Sequence, residues 1–122
     1  MMLHDHLEAH LSTPFAWGSH DCVTFAAAWV HECTGTDPLA GLKPWKTKRQ
    51  ALARIAGVGG LEKAIDGMLQ RIDPNFAMDG DLAMAGGNLM LFSGAFIVGP
   101  CEHGLQSLSR SQADAAWMVR RG

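Results

Sequence analysis

Trp17-Gly-Ser-His-Asp-Cys22 runs directly into Val23-Thr-Phe-Ala-Ala-Ala-Trp-Val30, a polar loop opening onto an apolar run. Cys22, Phe25, Ala26, Trp29 and Cys33 recur at helical spacing, which predicts a helix with one buried face. Asp21 or Ser19 supplies the cap, because a short side-chain oxygen accepts from the free N–H groups of a first turn. Cys22 then stands at the positive end of the helix dipole. That position favours the thiolate, the nucleophilic form of cysteine.

Outward from this helix the chain divides in two. Residues 2–11 read as a short helix with Leu3, Leu7 and Leu11 on one stripe, ended by Pro14. The cysteine helix stops at Thr34-Gly35, with Gly35 as a left-handed cap. Thr36 to Trp45 is a loop broken by Pro38, Gly41 and Pro44, and Trp45 is expected to be exposed there as a contact surface. Helices follow over 47–56 and 61–69, separated by Gly57-Val-Gly-Gly60. From Asp79 onward the pattern changes to short strands at 82–85, 89–92, 95–98, 105–108 and 117–120. Ser93-Gly94 reads as a two-residue hairpin. Helices first and strands second is the α+β pattern, here one domain with a helical half over about 1–75 and a β half over about 79–121. The strands are expected to form an antiparallel meander curled into a partial barrel.

Composition limits the function classes. The chain has 122 residues, 48% hydrophobic and 18% charged, with a net charge of −2, which suits one folded core. The basic residues between Lys43 and Arg71 are mixed with acids, so no nucleic-acid footprint is expected. No run approaches the roughly 20 apolar residues of a membrane span, and the N-terminus turns polar at once, without a signal peptide. Three cysteines without metal-type spacing fit reduced thiols in a cytoplasmic chain. Cys33 and Cys101 read as structural. His6 and His10 lie one helical turn apart, with His4 nearby, but no carboxylate or thiol completes a metal spacing there. The reading is therefore a solvated first helix and no metal. Trp29 and Trp117 are assigned to the core.

Phe15-Ala-Trp-Gly-Ser-His-Asp-Cys22, Gly80-Asp-Leu-Ala-Met-Ala85 and the glycine-broken hairpin after them resemble the NlpC/P60 branch of the papain-like cysteine peptidases. Thr34-Gly-Thr-Asp-Pro38, Gly104-Leu105 and Trp117-Met-Val119 narrow the resemblance to a compact group found in phages, prophages and gene-transfer particles. The resemblance implies a papain-like arrangement, with the cysteine at a helix start packed on an antiparallel sheet. It further implies hydrolysis of amide bonds in peptidoglycan stem peptides, without metal or cofactor, at the tip of a phage tail. Cys22 would attack the carbonyl, and its backbone N–H would be one oxyanion donor. Trp17 and Gly18 would shape the substrate loop, and Asp21 would support it.

One position departs from the pattern. The family's histidine base opens the strand that here begins Asn88-Leu-Met-Leu91, and an amide side chain cannot act as a general base. No histidine lies between Met68 and Glu102. His20 and His103 remain as candidates for the base. Two functions follow from this: a cysteine peptidase using one of them, or a non-catalytic tail component or peptide-binding module that kept the fold.

Overall fold

The computed structural model describes residues 3–10, 13–101 and 104–119. It is an α+β fold of four α-helices followed by a six-stranded antiparallel sheet. The helices are α1 (Leu3–His10), α2 (Cys22–Thr34), α3 (Lys48–Gly57) and α4 (Leu61–Asp66). The strands are β1 (Gln70–Ile72), β2 (Leu82–Ala85), β3 (Asn88–Ser93), β4 (Phe96–Cys101), β5 (Gly104–Ser109) and β6 (Ala115–Met118).

α2 forms where the sequence places it, and both of its ends have a local cause. Asp21 and Thr24 make a reciprocal capping box at its start, and Gly35 ends it in the left-handed region at φ 78°. Phe25, Ala26 and Trp29 are buried against the sheet, chiefly on β3 and β4. The Trp29 indole donates to the Gly80 carbonyl at 2.8 Å, which joins α2 to the start of β2. Next to it, the buried Asp81 carboxylate accepts from the backbone N–H groups of Met78 (2.8 Å) and Val119 (3.0 Å). The Gly80-Asp81 pair therefore fixes where β2 begins and where β6 ends.

The strand order is β1-β6-β2-β3-β4-β5. β2 to β5 form the expected meander, but β6 returns to the free side of β2 and β1 pairs beyond it. The sheet is open, with β1 and β5 at its edges. One face carries the main core under α2, including Leu82, Leu89, Leu91 and Trp117. The other face carries a second cluster around Ala83, Met90, Phe92 and Ile97. This alternation follows from the period of two along a strand.

Several boundaries move from the sequence expectation. The helix expected over 61–69 ends at Asp66, and residues 70–72 become a strand, because Gln70, Arg71 and Ile72 pair with β6. Ser93 pairs with Phe96, so the two-residue turn is Gly94-Ala95 rather than Ser93-Gly94. The last strand is Ala115–Met118, two residues earlier than its apolar pattern suggested. Trp45 is not an exposed contact residue: it is 5% exposed and part of the main core.

Candidate functional site around Cys22

The loop before α2 is held by one carboxylate. Asp21 is 1% exposed. Its Oδ1 accepts from the Thr24 N–H at 2.9 Å, and its Oδ2 accepts from the Gly18 N–H at 2.9 Å and the Trp45 indole at 2.8 Å. Asp21 thus caps the helix and clamps two loops to it. Gly18 sits in the left-handed region at φ 87°, and a Cβ there would lie 1.7 Å from the Trp45 carbonyl oxygen. Glycine is needed at this position for both reasons. Trp17 is half-buried and packs edge-on against Phe15, with ring centroids 4.9 Å apart.

Cys22 is the first residue of α2 and is partly exposed, with a free thiol. Burial pushes this thiol above its ordinary value, and the Asp21 carboxylate adds to the effect. A backbone hydrogen bond from Leu89 and the N–H groups of Cys22 and Val23 pull the other way without reversing it. The helix start alone therefore does not produce the low-pKa thiolate that its position suggested, because desolvation outweighs the dipole. The Leu89 bond also brings the sulfur against the beginning of β3, beside the exposed Asn88.

His20 is buried, but its ring belongs to a different group. It stacks on His10 at 5.2 Å with the planes 6° apart. His10 in turn contacts His6 at 4.5 Å, and all three histidines border Phe25. Among the described residues, no hydrogen bond joins His20 to Cys22, and no imidazole is among the groups shifting the thiol. Burial lowers the His20 pKa, and His10 adds to this. The first helix is correspondingly not a solvated one throughout. His6 is 3% exposed, and its Nε2 donates to the Phe25 carbonyl at 3.3 Å. His10 Nδ1 donates to the His6 carbonyl at 2.8 Å. Among the described residues, no group of three or more His, Cys, Asp or Glu side chains is disposed to hold a metal ion.

His103, the other candidate base, lies outside the described residues, as does the side chain of Cys101. Cys33 is buried in the main core.

The chain belongs to the family DUF6950. That family is described as a domain of unknown function, and its profile matches residues 1–119, nearly the whole sequence. No curated protein and no solved structure matches the chain significantly. No helix of the described residues is long and apolar enough to cross a membrane.

The sequence reading placed Cys22, Asp21, Gly18 and Trp17 together, and they are neighbours around one helix start. It missed Trp45, Thr24 and Leu89. The Asp21-x-x-Thr24 spacing of a capping box was a readable signal for Thr24. Trp45 had no such signal, since its bond to Asp21 spans 24 residues. Leu89 acts through its backbone, which side-chain chemistry does not reveal.

Proposed function

We propose that the chain is a phage- or prophage-derived NlpC/P60-like protein in which the cysteine site serves as a peptide-binding or tail-assembly surface rather than a hydrolytic centre. The observation that carries this reading is the company Cys22 keeps. Its thiol contacts backbone N–H groups and lies near a carboxylate committed to loop hydrogen bonds, while the buried His20 ring is stacked on His10. Among the described residues no imidazole acts on the thiol, and a thiol without a proton acceptor is a weak nucleophile at neutral pH. The partners of this surface are peptidoglycan stem peptides or neighbouring tail proteins. The protein is made in the bacterial cytoplasm and is then carried in the particle.

The test is the rate of Cys22 alkylation against pH, with Cys33 and Cys101 replaced by Ser. The expected midpoint lies above the free-thiol value of about 8.5. A midpoint well below that value, together with hydrolysis of γ-D-glutamyl stem peptides, would overturn the reading.

One observation favours a working cysteine peptidase instead. β4 runs beside β3, where a Cβ on Gly99 would lie 2.9 Å from the Leu89 carbonyl oxygen. His103 follows the last residue of this strand by two positions in sequence and lies outside the described residues. On that reading His103 is the base. His103→Ala then abolishes stem-peptide hydrolysis and slows alkylation at neutral pH, whereas His20→Ala does neither.

A further inference from the structure

The histidine column beside Phe25 is a cluster of titratable side chains that the Cys22 site does not use. His6 and His10 come from α1, and His20 comes from the loop before α2. Successive ring centroids are 4.5 Å and 5.2 Å apart. The column also faces α2: the His6 ring lies 4.9 Å from Phe25 and 5.3 Å from Trp29, and His20 lies 6.2 Å from Phe25. The three rings therefore form the join between α1 and the start of α2.

α1 depends on this join. Of its eight residues His6 is the buried one, while Leu3 and Leu7 reach the core only partly buried. The hydrogen bond that ties α1 to α2 among the described residues runs from His6 Nε2 to the Phe25 carbonyl, and at 3.3 Å it is long for its kind. A helix of eight residues does not hold its shape alone in water, so α1 stays wound only while docked.

Protonation removes the anchor. With His6 Nε2 donating, its Nδ1 carries no proton, and a proton there makes a buried cation with no acceptor among the described residues. A charge on His10 opposes charge on both of its neighbours. The groups that favour the charged rings are Glu32 of α2, acting on His6, and Asp21, acting on His20. Glu32 is exposed, and Asp21 is committed to Gly18, Thr24 and Trp45, so neither outweighs burial. On α1 itself Asp5, Glu8 and His4 are exposed, with His4 and Glu8 paired at 3.3 Å. The hydrogen bonds of Asp21 involve no residue of α1 and no imidazole, so the start of α2 is held independently of the column.

We propose that α1 is an acid-released latch: protonation of the His6, His10 and His20 rings undocks and unwinds α1 while α2 and the sheet stay folded. Release uncovers the Phe25 side of α2 next to the Cys22 loop. The open state binds more protons than the docked one, so opening is favoured as pH falls. The latch operates whether Cys22 binds a partner, reacts or does neither.

The test is an amide NMR titration of the whole protein from about pH 7.5 to about pH 4.5, reading Leu7 and Glu8 against Phe25, Leu89 and Leu91. The ratio of open to docked α1 is expected to rise up to about tenfold per pH unit below 6.5 for each histidine freed. Leu7 and Glu8 then move to unfolded shifts while Phe25, Leu89 and Leu91 keep theirs, and return to neutral pH restores the docked spectrum. His6→Leu is expected to keep α1 docked throughout, His10→Gln to move release to lower pH, and the exposed His4→Gln to change nothing. Docked shifts of Leu7 and Glu8 at the acid end would overturn the proposal. So would loss of α1 and sheet signals in one transition, or release of α1 in His10→Gln at the wild-type pH. The wild-type titration decides the first two outcomes without any variant having to fold.

Discussion

Asp21 and Asp66 each accept a tryptophan indole N–H at 2.8 Å, from Trp45 and Trp117 respectively. The chemistry is the same and the settings are opposite. Asp21 is 1% exposed, and its other partners are backbone N–H groups and the Thr24 hydroxyl of the same loop and helix start. The Asp66 side chain is 42% exposed, and its other partner is Arg71, whose guanidinium lies 5.0 Å from the Trp117 ring. Removing an acceptor from a closed site strands its donors, whereas at the surface water replaces it. The two carboxylates therefore differ in how much structure depends on them.

The largest expected effect is at the buried one. Asp21→Ala removes the α2 cap and leaves the Trp45 indole and the Gly18 and Thr24 amides without their acceptor, a loss of about 3–5 kcal/mol in urea unfolding. A loss under 1 kcal/mol would mean that the two regions do not differ in the way burial predicts. Gly18→Ala attacks the same clamp from the backbone. It combines a strained φ of 87° with a Cβ 1.7 Å from the Trp45 oxygen. The expected cost is about 3–4 kcal/mol. Gly35→Ala, at φ 78° with nothing within 4 Å, isolates the conformational part. It should cost only about 1 kcal/mol.

The clamp also marks the limit of what the sequence made legible. Residues acting on near neighbours were readable: the Asp21 cap, the Gly35 stop, the apolar face of α2 and the Leu82–Ala85 strand all follow from spacing. Residues fixed by distant partners were not. Trp45 looked like an exposed loop aromatic because nothing near it in sequence shows that its indole bonds to Asp21. Gln70–Ile72 looked like the end of a helix because three residues carry no usable period, and pairing with β6 decides their state. The histidines were legible as residues but not as a column, since His6 and His10 meet His20 only through tertiary packing. The position of Cys22 was legible. Its ionisation was not, because burial depends on the sheet.

That column gives the buried region a pH signature. Burial first, and His10 second, lower the His6 pKa from 6.5 to about 4. The neighbouring Glu32 and the Phe25 carbonyl act in the opposite sense, and His20 adds to the lowering. The folded pKa lies below the unfolded one, so the unfolded state binds more protons between pH 6.5 and 4. Stability is therefore full above pH 6.5 and falls on acidification through this window, by up to about 3 kcal/mol. His6→Leu should flatten the slope of unfolding free energy between pH 6.5 and 4. An unchanged slope would remove His6 from the account.

The exposed region should respond in a different window and to a different variable. Hydrogen bonds from Arg71, and then from Trp117, hold the Asp66 carboxyl below its ordinary 3.8. A depressed carboxylate contributes stability above its unfolded pKa and loses it as pH falls through the folded one. The Asp66 contribution is thus intact across the His6 window and disappears only below 3.8. Asp66→Asn should leave the slope between pH 6.5 and 4 untouched and reduce the slope below it. Its cost at neutral pH should be the smallest of the series, because Arg71 keeps its bond to Glu62 at 3.0 Å and water reaches the site. Added salt should shrink that cost further while leaving the cost of Asp21→Ala nearly unchanged, since screening acts on exposed charges and hardly on buried hydrogen bonds. If salt shrank both costs equally, Asp21 would have to be as open to solvent as Asp66, and the distinction between the two carboxylates would fail.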